Sequence, residues 1–174
     1  MAKIGIISDT HGDLHSWQKA SSLWGKVELV LHCGDILTHP ETLASRHLAE
    51  EMSLSQVPVM ISRGNCDRDC DQNLLAWPIS SPYVSLFWKD RFILMGHGHR
   101  FSELRDLSRR CRPSMVVTGH THVASLVRED GIVYLNPGSA SAPRGRDPAS
   151  FAIVSEDDIE IVTLEGLQLY RERW

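Results

Sequence analysis

Gly119-His120-Thr121-His122 follows the apolar run Met115-Val116-Val117 and precedes Val123. The apolar run predicts a buried strand, and the two histidines stand at its end. In an extended backbone, residues two apart point the same way, so both imidazoles can enter one site while Thr121 faces away. Gly119 allows a sharp turn or a close backbone approach to a ligand. Two adjacent imidazoles need a charge partner or a metal. Alone, the same residues also describe a strand end with two solvated histidines. Stretches elsewhere in the chain decide between these.

Upstream, Lys3-Ile4-Gly5-Ile6-Ile7-Ser8 predicts a short buried strand ending in Asp9-Thr10-His11-Gly12-Asp13, with Asp13 capping a helix through His15 to about Trp24. Val27 to Leu31 predicts a second strand, leading to His32-Cys33-Gly34-Asp35. Pro40-Glu41 opens a helix to about Met52. Pro58 to Ser62 is a third strand, ending in Arg63-Gly64-Asn65-Cys66-Asp67. Three strand–loop–helix units in succession predict parallel pairing and an α/β fold.

The pattern then changes. Asp71 to Ala76 predicts a short helix, and Tyr83–Trp88 with Arg91–Met95 a hairpin whose second arm runs into Gly96-His97-Gly98-His99. Phe101 to Cys111 is amphipathic and basic, a surface helix. After the Gly119 stretch come a hairpin, Val123–Val127 with Ile132–Leu135, and a turn at Asn136-Pro137-Gly138-Ser139. A Gly/Pro/Arg loop spans Ser141 to Pro148. Phe151–Val154, Ile159–Leu164 and Leu167–Tyr170 predict antiparallel strands.

Composition narrows the function classes. The 174 residues are 42% hydrophobic, enough for one core, and no linker divides them, so a single domain over 1–174 is expected. A net charge of −4 makes nucleic acid an unlikely bulk electrostatic partner. No apolar run approaches the roughly 20 residues of a membrane helix, and the run before Asp9 is too short for a signal peptide. Cys33, Cys66, Cys70 and Cys111 show no C-x-x-C spacing, which predicts a reducing, cytoplasmic setting without required disulfides. His11, His32, His97, His99, His120 and His122 lie beside or within apolar runs, whereas His15, His39 and His47 read as surface residues.

Five loops, each after a strand, thus place a metal-type ligand near glycine: Asp9 with His11, Asp35, Asn65, His97, and His120 with His122. Mixed oxygen and nitrogen donors suit borderline divalent metals such as Mn, Fe, Zn or Ni. The set exceeds what one catalytic ion with open positions needs. It suits two ions sharing a carboxylate, which at a separation of about 3.5–4 Å can clamp a phosphate ester.

Asp-x-His, Gly-Asp, Gly-Asn, Gly-His and Gly-His-x-His, in that order, resemble the calcineurin-like metallophosphoesterase superfamily. Asp9-Thr10-His11-Gly12, Gly64-Asn65-Cys66-Asp67, His97-Gly98-His99, Gly119-His120-Thr121-His122 and Asn136-Pro137-Gly138-Ser139 are similar to its small bacterial YfcE-type phosphodiesterase branch. The resemblance covers nearly the whole chain. It implies a four-layer α/β/β/α sandwich, two mixed sheets flanked by helices. It also implies a metal-dependent phosphodiesterase acting on a small phosphodiester through two divalent ions, Mn foremost and Zn, Fe, Ni or Mg as alternatives. Carried over by motif, Asp9, His11 and His122 hold one ion, Asn65, His97 and His120 the other, and Asp35 bridges. A metal-bound hydroxide then attacks phosphorus. His99, two residues past a ligand, is a candidate substrate contact.

Many larger relatives carry a histidine directly after the Gly-Asn pair, able to protonate a leaving alkoxide. Here that place is Cys66, a poorly matched acid, which favours diesters over monoesters. The loop through Arg144 and Arg146 departs from the usual family wording, and either arginine is a candidate for a phosphate oxygen. The alternative from another class is an interaction module of the same fold, of which the retromer subunit is an example by resemblance. A homo-oligomer is compatible with either.

Overall fold

The computed structural model describes residues 2–174. In chain order the elements are β1 (Lys3–Ile7), α1 (Leu14–Trp24), β2 (Leu29–His32), α2 (Leu43–Ser53), β3 (Val59–Ser62) and β4 (Ile79–Ser80). There follow β5 (Val84–Trp88), β6 (Arg91–Met95), α3 (Phe101–Cys111), β7 (Met115–Val117), β8 (Ala124–Glu129) and β9 (Ile132–Pro137). The strands β10 (Ser150–Ser155), β11 (Asp158–Thr163) and β12 (Gln168–Arg173) complete the chain. One sheet has the order β12-β11-β10-β1-β2-β3-β4 and the other β5-β6-β7-β9-β8. β1 to β4 are parallel and β10 returns antiparallel to β1. β6, β7 and β9 are parallel, flanked by the antiparallel β5 and β8.

Alternation along the strands produces the layers. Ile4, Ile6 and Leu31 point at the second sheet and meet Met95, Val117 and Leu135. On the other face of the first sheet, Ile7, Val30 and Phe151 pack under α1 and α2 through Trp17, Trp24, Leu48 and Met52. Trp24 contacts both Trp17 and Phe151 edge-on, with ring centroids 5.6 and 6.2 Å apart, a favourable aromatic geometry. Leu104 of α3 covers Leu94 and Val116 on the outer face of the second sheet. The result is the expected α/β/β/α order. Every parallel strand ends on the same rim, where ligands bind in open α/β sheets.

Several expected boundaries move. Helix α2 starts at Leu43, because the Thr42 side chain accepts the Ser45 N–H and caps it there, leaving Pro40-Glu41 in the preceding turn. The short helix expected at Asp71 is a 3-10 turn, Asp69–Asn73, begun early because the Asp71 carboxylate accepts the Arg68 N–H. β9 continues through Asn136 and Pro137, paired with Ser125 and Ala124. Proline is tolerated there because pairing with β7 stops at Leu135, which leaves Pro137 at an edge with a single neighbouring strand.

His32, at the end of β2, is buried outside the candidate ligand set. Its Nδ1 accepts the Gly34 N–H at 3.2 Å, and its Nε2–H donates to Thr10 Oγ1 at 3.0 Å. The Thr10 hydroxyl donates in turn to the Ile36 carbonyl. Burial pushes its pKa down to about 3, so it folds neutral. A depressed folded pKa contributes stability that is fully present above the unfolded value of about 6.5 and is lost as pH falls towards 3. The metal-free protein is expected to lose about 1.4 kcal/mol per pH unit in that window from this group. Urea unfolding of wild type and His32→Gln between these limits checks it. Equal pH slopes in the two proteins would show that His32 binds no extra proton on unfolding.

Candidate metal centre

The loop after β1 supplies Asp9 and His11, and the loops after β2 and β3 supply Asp35 and Asn65. The second sheet supplies His97 after β6, and His120 with His122 after β7. All seven expected ligands therefore converge on one rim. Asp9, His11, Asp35, His120 and His122 have φ between 48° and 69°, the left-handed region that costs non-glycine residues of order 1–3 kcal/mol each. His120 and His122 thus reach one site through a tight turn rather than the extended backbone expected from their spacing. Such strain persists only where surrounding contacts dictate it.

Two glycines show how tightly the loops are drawn in. A Cβ on Gly64 would lie 2.1 Å from Asp35 Oδ1, and one on Gly119 would lie 1.9 Å from Ser8 Oγ and 2.7 Å from Asp9 Oδ2. The motif glycines bring backbone against the carboxylates, a role no larger residue could fill.

Apart from His120, whose ring lies beside them, the candidates' ligand atoms form two groups that overlap at Asp9. In the first, His122 Nε2 is 3.2 Å from Asp9 Oδ1 and 3.4 Å from His11 Nε2. In the second, His97 Nε2 is 3.1 Å from Asn65 Oδ1, 3.3 Å from Asp35 Oδ2 and 4.0 Å from Asp9 Oδ1. The rings of His97 and His120 have centroids 5.1 Å apart. Asp35 has a ligand atom within 4.8 Å of both His11 and His97.

These atoms fit a cation. The Nδ1–H of His97 donates to the Cys33 carbonyl at 2.7 Å, and that of His122 to the Ala142 carbonyl at 2.6 Å. A carbonyl can only accept, so in the neutral rings both Nε2 atoms carry bare lone pairs, aimed at carboxylate and amide oxygens. Asp9 Oδ1 is buried without any hydrogen-bond partner. Lone pairs converging in this way call for a positive charge between them.

Burial lowers the pKa of His11 and of His120, keeping both available as neutral ligands. Burial opposes the charged form of His97 as well, but the Asp35 carboxylate outweighs it and raises the pKa. For Asp35, burial disfavours ionisation, yet His97 and the Cys66 N–H hold it well below the usual carboxylate range.

The supporting contacts were mostly not singled out from the sequence. Asp67 is buried, and its carboxylate accepts the N–H groups of Asp35, Ile36 and Gly64 at 2.7–2.9 Å, locking the β2 and β3 loops together. Its signal was its place in Gly64-Asn65-Cys66-Asp67. Asn136 donates to the Gly119 carbonyl at 2.8 Å and to Thr121 Oγ1, fixing the histidine turn. Ser139 and Ser141 both donate to the Asp9 carbonyl at 2.9 Å, and Ser139 Oγ accepts the Ala142 N–H. The Asn136-Pro137-Gly138-Ser139 stretch therefore braces Asp9 and, through Ala142, His122. Thr38 Oγ1 lies 2.6 Å from His11 Nδ1.

His99 is exposed, with its ring 5.6 Å from His97 and 6.2 Å from His120. It lines a cavity beside Asn65 and His97 that also includes Arg63, Tyr83 and Arg100. Arg144 and Arg146 are exposed and do not line it. Cys66 donates its N–H to Asp35 Oδ1 at 2.8 Å, and its Sγ comes within 4.8 Å of ligand atoms of His11 and Asp35. Burial, reinforced by the Asp35 carboxylate, pushes the thiol up to about 11.

Comparison with known proteins places the chain in a family. Residues 2–158 match the family model described as the calcineurin-like phosphoesterase superfamily domain. Phosphodiesterase YfcE of Escherichia coli strain K12 is 31% identical over 172 residues, covering 94% of this chain and 93% of that protein. The solved structure of YfcE, titled a phosphoesterase from E. coli, superposes with a TM-score of 0.81 at 25% identity, covering 98% of each chain. Vacuolar Protein Sorting 29 from Cryptosporidium parvum shares the fold, with a TM-score of 0.70 at 21% identity over 99% of this chain and 97% of that one. The chain belongs to the calcineurin-like phosphoesterase superfamily.

Proposed function

We propose that this chain is a two-metal phosphodiesterase in which Asp9, His11 and His122 hold one ion, Asn65, His97 and His120 hold the other, and Asp35 is shared. The observation that carries this is the position of Asp35, within ligand reach of His11 on one side and 3.3 Å from His97 Nε2 on the other. The relative named a phosphodiesterase supports the reaction class. Divalent ions held there supply an acidified water near neutral pH and neutralise charge on phosphoryl oxygens. The chain's own part is positional. The carbonyls of Cys33 and Ala142 fix the ring orientation of His97 and His122, and Asp67 fixes the loop that carries Asp35. His99 lines the adjoining cavity and is the candidate contact for the ester there.

Diesters are favoured over monoesters because the residue after Asn65 is a thiol with pKa about 11, a poor proton donor to a departing alkoxide. Manganese is the expected ion. The cytoplasm is the expected compartment, in keeping with four free cysteines. Among the described residues, no helix is long and apolar enough to cross a membrane. An interaction module of this fold has no need of a complete ligand set. Here every expected ligand position holds a competent side chain.

The test loads purified protein with Mn²⁺ and screens aryl diesters, alkyl diesters and monoesters. The metal-loaded protein is expected to cleave activated aryl diesters fastest, and chelator-treated protein to be inactive. Metal-replete protein that turns over no phosphate ester would leave the interaction module standing.

A further inference from the structure

The cavity beside Asn65 and His97 has a volume of about 200 Å³. Tyr83 and Leu104 supply apolar surface to its lining and pack on Gly96, where a Cβ would come within 3.1 Å of the tyrosine ring and 3.2 Å of the leucine. Two arginines, Arg63 and Arg100, line it. The only carboxylate in its lining is Asp67, and both Asp67 oxygens are already taken by backbone N–H groups. No free acid in the lining opposes the two cations. Arg63 pairs with Asp69 and makes two long contacts, at 3.4 Å, to the Asp67 carbonyl, and Arg100 pairs with Glu103. Asp69 is 93% exposed and Glu103 52%, and ion pairs of this kind hold weakly, so a ligand's anion can replace them.

The opposite flank of the centre differs in chemistry. The groove beside His11 is lined by Asp13, His15, Gln18 and His47, with no lysine or arginine. That groove carries no arginine or lysine, whereas the cavity on the Asn65 side carries two arginines. A phosphodiester carries one negative charge at phosphorus, which the ions would meet. Guanidinium groups set beyond the metal ligands serve a second charge, further along one of the ester's two substituents.

We propose that this cavity seats one alcohol substituent of the substrate, and that Arg63 and Arg100 select substituents bearing a second anionic group, a carboxylate or a phosphate. The proposal rests on the phosphodiesterase assignment and names its substrate class: diesters with a further negative charge on the alcohol side. Tyr83 and Leu104 take the carbon skeleton of that substituent, and the two arginines take its charge.

The experiment uses Mn²⁺-loaded protein and three mixed diesters of p-nitrophenol, made with glycolamide, glycolate and 2-phosphoethanol. The first two match in shape and differ by one charge, and the third separates phosphate from carboxylate. Phosphorus NMR of competing pairs counts cleavage of either ester bond and yields the ratio of kcat/KM directly. The charged diesters are expected to be preferred by roughly tenfold or more, a preference that shrinks as salt is added. Arg63→Met and Arg100→Met should each reduce that ratio about fivefold, the upper range for a partly exposed ion pair. Arg100→Glu should reverse it. A merely structural loss would slow all three diesters together and leave the ratios unchanged.

A wild-type protein that cleaves the glycolamide diester as well as the charged ones overturns the inference while leaving the phosphodiesterase assignment intact. So does a charge preference that survives in the Arg63→Met/Arg100→Met protein. Failure to cleave any of the three, or bis(p-nitrophenyl) phosphate, overturns both.

Discussion

Asp35→Asn is expected to weaken metal binding in both halves of the centre and to lower kcat/KM on an activated aryl diester by on the order of 10³-fold or more. Removing a single group that stabilises charge at a preorganised site typically costs about 10²–10³, and Asp35 serves two ions. Asparagine keeps the shape and one oxygen, so the Cys66 N–H retains its acceptor at the Oδ1 position. What disappears is the negative charge 3.3 Å from His97 Nε2, in a residue only 2% exposed. The fold should therefore survive while the centre fails. Elemental analysis after Mn²⁺ loading should find about two ions per wild-type chain and fewer than one in the variant. A wild-type stoichiometry of one, unchanged by Asp35→Asn, would be incompatible with a shared carboxylate. His122→Ala offers the contrast, since it removes a donor from one group only and should spare binding at the Asn65 side.

The sequence marked the candidate ligands more fully than the contacts that hold them. Asp9, Asp35 and His97 were legible because each follows a β-branched or apolar run and stands within three residues of a glycine, a local pattern. α3 was legible to the residue because its apolar and basic faces separate cleanly over Phe101–Cys111. The start of α2 was not, since Pro40-Glu41 reads locally as a helix start and the hydrogen bond from the Ser45 N–H to the Thr42 side chain places the cap two residues later. The two-residue strand β4 has no periodicity to read and exists through its pairing with β3. The bracing contacts are non-local in the same way. Ser139 reaches Asp9 across 130 residues, and Asp67 reaches Asp35 across 32. Arginines near the centre posed the same problem. Arg144 and Arg146 drew notice through an unusual loop composition, whereas Arg63, after β3 of one sheet, and Arg100, after β6 of the other, line one cavity.

Cys66→His is expected to raise turnover of alkyl esters far more than that of activated aryl diesters. The position lies at the centre, with Cys66 Sγ within 4.8 Å of ligand atoms of His11 and Asp35. The thiol there is a poor acid at neutral pH, because burial and the Asp35 carboxylate push its pKa to about 11. An imidazole in its place would titrate much closer to neutrality and could hand a proton to a departing oxygen, an effect typically worth about 10²–10⁴-fold when geometry permits. A phenolate leaves readily as an anion and gains little from that proton, whereas an alkoxide needs it. The wild type should therefore cleave an activated aryl diester well and alkyl monoesters poorly, with Cys66→His narrowing the gap from the alkyl side. Cys66→Ala isolates the thiol itself: its backbone N–H still donates to Asp35, so the activated diester rate should stay nearly unchanged. The measurement is kcat/KM on both substrate types in the three proteins, with metal content determined in each. A large loss of aryl diester turnover in fully metallated Cys66→Ala would mean that the sulfur takes part in the chemistry, and the diester preference would then need a different cause.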